Sequence, residues 1–442
     1  MRIVVGAEEG RRTVLYRRPL AEMEVPPPVR ELTRRVFGAD LSPQEAVARI
    51  IADVRAEGDP AVSRYGEAFD GVAVFPLRVP REETEAAYGA VDPELLGNLR
   101  FAASRIRSFH EKQLEHCQTS FFEDGLGMRV RPIERIGMYA AGSAVVYPSS
   151  VLMTVIPAKV AGVAEVLVTT PASPDGRVSP LKLVAADIAG VDAVFCAGGA
   201  QAVAAMAYGT QSIPKVDKIC GPGNLFVTLA KQQVFGAVGI DAMYGPTETV
   251  VVADESADAA LCAADLLAQA EHDALARPIL LTPSLPFAKE VEQEIERQLA
   301  EIERSEVVGS ALENGGAVVT DGLEQAIELA NEFAPEHLCL LLRDAGRWVD
   351  RVRNAGGLFV GECSPEAMGD YTAGPSHVMP TGGSARYSSP LNVLDFLKIT
   401  NVVEVGEEAL RELGPAAAAI ARAEGLTAHA RAIEMRLKKQ DH

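Results

Sequence analysis

Hydrophobic residues in this chain come in short uninterrupted runs separated by helix-length segments, and the pattern is most regular from Ile136 onward. Apolar runs lie at 165–170 (Glu-Val-Leu-Val-Thr-Thr), 192–196 (Asp-Ala-Val-Phe-Cys), 216–220 and 248–253 (Glu-Thr-Val-Val-Val-Ala). Segments of helical length occupy 149–163, 180–189, 200–208 and 224–235. A run that is apolar at every position suits a strand covered on both faces, and the repeated alternation predicts a parallel sheet with crossover helices. A second series follows, with helix 257–271, strand 278–282, helix 285–303, strand 317–320, helix 322–333, strand 337–342, helix 344–353 and strand 357–361. The predicted fold class is therefore α/β, with two incomplete Rossmann-like parallel sheets.

Helical extensions are expected at both ends. Residues 1–30 read as an N-terminal arm ending in Pro26-Pro27-Pro28. Ser42-Pro43 looks like a cap and first-turn proline ahead of a helix from Glu45 to Glu57, and Asp92-Pro93 opens an amphipathic stretch to about His116. A Gly/Pro/Ser-rich loop from Gly361 to about Asn392 is long for a compact domain, which points to function. A helix over 414–438 ends the chain. The expected division is an arm (1–30), a first Rossmann-like domain (31–138 with 249–392), a second, nucleotide-contacting one (139–248) and a C-terminal extension (393–442).

Composition narrows the function class. A chain of 442 residues needs more than one core, and a formal charge of −19 argues against nucleic-acid phosphates. Charge appears too early in Met1-Arg2-Ile3-Val4-Val5-Gly6-Ala7-Glu8-Glu9 for a signal sequence, and no apolar run is long enough to span a bilayer. The six cysteines are scattered without a Cys-x-x-Cys pair, so neither a disulfide framework nor a thiolate zinc site is expected. A cytoplasmic protein is the expectation.

Four of the seven histidines fall in densely polar segments. Gln269 and His272 share a helix face at i and i+3, where an amide oxygen and an imidazole nitrogen can fill two positions around a metal. Asp370 and His377 lie in the Gly/Pro-rich loop, and His429 lies on the last helix. A Gln/His/Asp/His set without sulfur fits a divalent ion that exchanges a ligand for substrate. Each of these residues alone has an ordinary reading as a surface or capping group. Glu336-His337 opens a strand after Pro335 and offers two adjacent proton acceptors.

Two glycine turns follow strands and precede helices: Cys196-Ala197-Gly198-Gly199-Ala200-Gln201 and Gly221-Pro222-Gly223-Asn224. Neither is Gly-x-Gly-x-x-Gly, but together they mark the sheet edge where ligands bind in open α/β folds. Cys196 or Cys220 offers a competing chemistry, a thiol nucleophile, although free cysteine is more often a small buried hydrophobe.

Taken jointly, these segments resemble the histidinol dehydrogenase family. The resemblance runs from Ile136-Gly137-Met138-Tyr139 to Leu426-Thr427-Ala428-His429, through Gly-Pro-Gly-Asn at 221–224, Asn331-Glu332-Phe333-Ala334-Pro335-Glu336-His337-Leu338 and the stretch from Gly369-Asp370-Tyr371 to His377-Val378-Met379-Pro380-Thr381-Gly382. It implies an intertwined homodimer that oxidises L-histidinol to L-histidine through the aldehyde, using two NAD⁺. It also implies one Zn²⁺ per subunit, on Gln269, His272, Asp370 and the partner subunit's His429. By the same resemblance Tyr139, Gln201 and Asn224 contact the nucleotide, Glu336 and His337 are the acid–base pair, and the partner subunit's Glu424 touches substrate. Thr247, in Gly245-Pro246-Thr247-Glu248, stands where the family usually has serine; it keeps the substrate-facing hydroxyl and adds a methyl. The residues leave open a dehydrogenase of small polar diols, a zinc hydrolase with Glu336 as base, and a non-catalytic scaffold. The acidic Glu424 favours an amine-bearing substrate, and NAD over NADP is not decided by the residues.

Overall fold

A computed structural model describes residues 1–17, 27–117, 120–142 and 146–440. Residues 18–26, including Pro26 of the expected arm, lie outside them. The chain begins with β1 (Ile3–Val5) and α1 (Ala7–Arg12). Helices α2 (Pro27–Phe37), α3 (Pro43–Glu57), α4 (Asp59–Asp70), α5 (Arg81–Ala87) and α6 (Pro93–Cys117) follow. Proline at the first position of α2 costs no hydrogen bond, because that N–H has no partner inside the helix. α3 starts where expected, with a complete Ser42–Glu45 capping box.

Two short strands, β2 (Phe121–Glu123) and β3 (Leu126–Pro132), precede the first β/α series. That series is β4 (Arg135–Tyr139), α7 (Pro148–Val160), β5 (Glu165–Thr170), α8 (Pro180–Ala189), β6 (Ala193–Cys196), α9 (Gly199–Tyr208), β7 (Lys218–Cys220), α10 (Leu225–Val234) and β8 (Gly239–Ile240). Its five strands are all parallel, in the order β6-β5-β4-β7-β8. The order reverses between β4 and β7, which makes that crevice the topological switch point. Alanines let the helices approach closely: α9 buries Ala200, Ala202, Ala204, Ala205 and Ala207. One face is sealed by Val47, Ile50 and Val54 of α3 and by Val62 and Tyr65 of α4, in one cluster with Val203, Ile219 and Leu229. The expected division assigned 43–70 to the other sheet; their apolar faces pack here instead.

The second series is β9 (Glu248–Ala253), α11 (Ala259–Ala270), β10 (Arg277–Thr282), α12 (Leu285–Leu299), α13 (Ser305–Asn314), β11 (Gly316–Val319), α14 (Leu323–Phe333), β12 (His337–Leu341), a 3-10 segment at Ala345–Arg351 and β13 (Gly357–Val360). Its parallel order, β1-β11-β10-β9-β12-β13, repeats the switch of the first sheet and adds β1 at one edge, Val4 opposite Val318. The start of the expected arm is therefore a sheet strand. The Gly/Pro-rich region carries one short helix, α15 (Glu366–Tyr371).

The remaining elements are β14 (Leu397–Val403), α16 (Glu407–Ala423) and α17 (Thr427–Gln440). The single helix expected over 414–438 is two, broken at Gly425, whose φ of +77° is a left-handed conformation. Contacts divide the chain into two compact units: Met1–Leu114 with Ile133–Phe396, and Glu115–Pro132 with Leu397–His442. In the second unit β14-β3-β2 form an antiparallel sheet, and α16 and α17 pack on Ala418, Ala421 and Ala430. The C-terminal extension is thus a strand and two helices, and its sheet partner β3 comes from a segment that the expected division placed elsewhere.

Candidate active site

The expected acid–base residues, Glu336 and His337, lie at the N-terminal edge of the six-stranded sheet. His337 is the first residue of β12, in register with Thr249 on one side and Gly357 on the other. Both Glu336 and His337 are buried, 8% and 3% exposed. α11 follows β9 and runs back antiparallel to it, so its C-terminal end delivers Gln269 to this same edge. His272 sits one turn beyond, its backbone N–H donating to the Gln269 carbonyl at 3.3 Å. α15 brings in Asp370, whose Oδ2 accepts from Gln269 Nε2 at 3.3 Å.

His337 lies between two carboxylates. Its Nδ1 is 3.6 Å from Glu336 Oε2 and its Nε2 is 3.7 Å from Asp370 Oδ1, and neither nitrogen has a hydrogen-bond partner. Both distances exceed hydrogen-bond length, so the imidazole is poised between acceptors and committed to neither. Burial works against charge on His337, but Glu336, Asp370 and Glu366 outweigh it and hold its pKa above the ordinary value. Burial pushes the Glu336 carboxyl up, and the neighbouring His337 partly offsets it. Burial also opposes ionisation of Asp370, yet the neighbouring His337, His377 and His272 keep its pKa low.

Three positioning groups had no sequence signal of their own. Phe359 of β13 stacks on the His337 ring at 5.9 Å. Ser150 of α7 lies 3.3 Å from His377 Nε2, while His377 Nδ1 meets the Asp370 carbonyl at 2.9 Å. Glu366, fully buried, accepts from Cys339 Sγ at 2.9 Å and from the Thr249 hydroxyl. Thr247 is half-buried just ahead of β9, and its carbonyl accepts from Arg277 N–H at 2.9 Å.

The expected nucleotide contacts gather at the C-terminal edge of the five-stranded sheet. Tyr139 ends β4, and its hydroxyl accepts from Gly199 N–H at 3.1 Å. Gln201 is 1% exposed with an unpartnered Oε1. Asn224 caps α10, its Oδ1 accepting from Phe226 and Val227 N–H at 3.1 and 3.2 Å. Gly221, φ +107°, leaves no room for a side chain: a Cβ there would lie 2.3 Å from the Tyr139 carbonyl oxygen. That turn is held by Asp241, which accepts the Gly221 N–H at 2.7 Å, and by Lys231, which donates to the Gly221 carbonyl at 3.0 Å.

Glu424 closes α16 and His429 lies in the first turn of α17; both are exposed residues of the second unit. Cys196 and Cys220 are buried, and burial raises both thiols, Cys196 to about 12, which leaves the nucleophile reading without support.

The residues present fit a divalent cation. Gln269 Oε1 is a buried oxygen with no hydrogen-bond partner, next to an ionised carboxylate and two imidazoles. Among the described residues no three His, Cys, Asp or Glu side chains close on one point. This is consistent with an expected donor set that takes only His272 and Asp370 of those types from the first unit.

The sequence matches the profile of the histidinol dehydrogenase family over residues 35–437. It is 50% identical to histidinol dehydrogenase of Deinococcus radiodurans, across 99% of this chain and 100% of that one. It is 48% identical to the Geobacillus kaustophilus enzyme of the same name, across 92% and 97%. The crystal structure of histidinol dehydrogenase from Elizabethkingia anophelis superposes with a TM-score of 0.88 at 33% identity, covering 100% of this chain and 99% of that one. With its two parallel sheets and the Gln/His/Asp/Glu cluster at the edge of the six-stranded one, this chain belongs to the histidinol dehydrogenase family.

Proposed function

We propose that this chain works as a homodimer that oxidises L-histidinol to L-histidine through L-histidinaldehyde, with two NAD⁺ used in turn, in histidine biosynthesis. The observation that carries the reading is the convergence of Gln269, His272, Asp370, Glu336 and His337 around the unpartnered Gln269 oxygen. Gln269, His272 and Asp370 would hold one Zn²⁺ per subunit together with the partner subunit's His429. Bound there, the ion would orient the amine and imidazole of the substrate and offset the carboxylate charge beside His337. NAD⁺, with Tyr139, Gln201 and Asn224 as its proposed contacts, would supply the hydride acceptor.

The chain's own residues move the protons. His337 takes the hydroxyl proton as the alcohol is oxidised. Glu336 then takes a proton from the water that adds to the aldehyde, and His337 accepts the second hydroxyl proton as the hydrate is oxidised. Thr247 and the partner subunit's Glu424 would contact the substrate, the carboxylate facing its ammonium group. Enclosure of the aldehyde between the two steps limits its loss to solvent.

Dimerisation is supported by the apolar surface of the second unit, where Ile399 and Ile420 are each 61% exposed and Met435 is 60% exposed. A cytoplasmic location goes with this reading. Among the described residues no helix is long and apolar enough to cross a membrane.

Purified protein given limiting histidinol should form about two NADH per substrate and carry about one zinc per chain. Chelation should remove the metal and the histidinol turnover together, and added Zn²⁺ should restore both. A single NADH per histidinol, or full turnover after the metal is gone, would contradict the reading.

A further inference from the structure

Two lysines are almost completely buried, and they differ in what surrounds them. Lys231, 1% exposed, forms an ion pair with the equally buried Asp241. Lys182 is 3% exposed, and among the described residues no carboxylate pairs with it. Its ammonium donates to Thr170 Oγ1 at 2.8 Å and to the Gly142 carbonyl, so two of its three N–H donors meet neutral oxygens. Burial pushes Lys182 down to about 8, as expected for a cation without its anion. The nearby Cys196 thiol cannot supply the charge, because burial holds it un-ionised at neutral pH.

The position gives this cation a meaning. Gly142 lies three residues beyond the end of β4, the first strand of the β/α series, and Thr170 is the last residue of β5, the second. In sheets of this strand order the first turn faces the pyrophosphate of a dinucleotide, and the end of the second strand reads the adenosine ribose. Lys182 bridges the two. Some of the usual phosphate donors at this edge, N–H groups at helix starts, are already committed. Gly199 N–H is taken by Tyr139, α10's first N–H groups are taken by Asn224, and α7 begins with a proline that has none.

We propose that Lys182 is the phosphate-recognising residue of the dinucleotide site, its third N–H donating to a phosphate oxygen of the pyrophosphate or of a ribose 2′-phosphate. The inference rests on the dinucleotide use proposed above. Its test measures binding of NAD⁺, NADP⁺ and adenosine to the zinc-loaded, full-length protein and to Lys182→Met and Lys182→Arg. Loss of one charge-assisted hydrogen bond predicts binding about ten- to a hundredfold weaker in Lys182→Met, with adenosine unchanged and the arginine variant closer to wild type. Equal losses for both dinucleotides assign the pyrophosphate; a loss confined to NADP⁺ assigns the 2′-phosphate. Unchanged dinucleotide binding overturns the proposal, and so does an equal loss for adenosine, which would make Lys182 only a clamp on the segment at Gly142. If Lys182→Met does not fold, Lys182→Gln carries the same comparison. Wild-type protein that binds neither dinucleotide would instead sink the cofactor reading itself.

Discussion

His337→Asn is expected to lower turnover about 10²- to 10⁴-fold for histidinol and histidinaldehyde alike, because in the proposed mechanism one imidazole serves as proton acceptor in both oxidations. The substitution keeps a polar side chain between Glu336 and Asp370, so folding and zinc content should survive. Glu336→Gln separates the steps. Its carboxylate accepts from Glu248 N–H at 3.1 Å and stands 3.6 Å from His337 Nδ1, beside the imidazole. Aldehyde oxidation, which needs water, should fall about 10²-fold or more, while NADH-driven reduction of the aldehyde to histidinol should change far less. Equal losses in the two directions would remove Glu336 from the hydration step. The comparison requires steady-state rates with histidinaldehyde under NAD⁺ and under NADH.

Arg17→Met is expected to cause a large loss of stability. Arg17 grips Glu248 bidentately, Nε to Oε1 at 2.6 Å and Nη2 to Oε2 at 2.7 Å, and also donates to the Phe333 carbonyl. Glu248 is 5% exposed by side chain and Arg17 21%. Removing one partner of such a pair leaves a buried carboxylate uncompensated, at a cost of about 3 kcal/mol, the lower end of the usual range because Arg17 is partly wetted. Methionine keeps the apolar stem near the Phe333 ring, over which the guanidinium now sits at 3.6 Å, so the loss reports mainly the charge. Glu248 also anchors the edge that carries Glu336 and His337, since its N–H holds Glu336 and its Oε2 accepts from Gly382 N–H at 3.1 Å. Urea unfolding followed by circular dichroism should show a clearly lowered midpoint, and Arg17→Met with Glu248→Gln should be less destabilised than Arg17→Met alone. An unshifted midpoint would mean that the pair holds nothing.

The sheets were legible because parallel strands are covered on both faces and so read as unbroken apolar runs: all of 248–253 is buried, and so is all of β12. The antiparallel sheet of the second unit escaped because its strands are largely exposed; β14 buries none of its residues and shows no alternation. α15 is too short for a helical period to register inside a glycine-rich stretch. At the site, Gln269 with His272 and Glu336 with His337 announced themselves through adjacency in sequence. Glu366, Ser150 and Lys182 did not, because each acquires its partner from a strand, helix or turn distant in the chain. The glycine turns were only half understood. Gly199 and Asn224 spend these hydrogen bonds on Tyr139 and on the helix cap, so they shape the edge.

The most direct test of a site shared between subunits is complementation by mixed dimers. His272→Ala and His429→Ala should each be inactive alone, since in the proposed homodimer either removes a proposed zinc donor from both sites. Co-refolded in equal amounts, half of the dimers would be mixed, each with one intact site, so activity should return to about a quarter of wild type. No recovery, with mixed dimers confirmed by mass spectrometry, would show that His429 does not complete the site of the opposite chain.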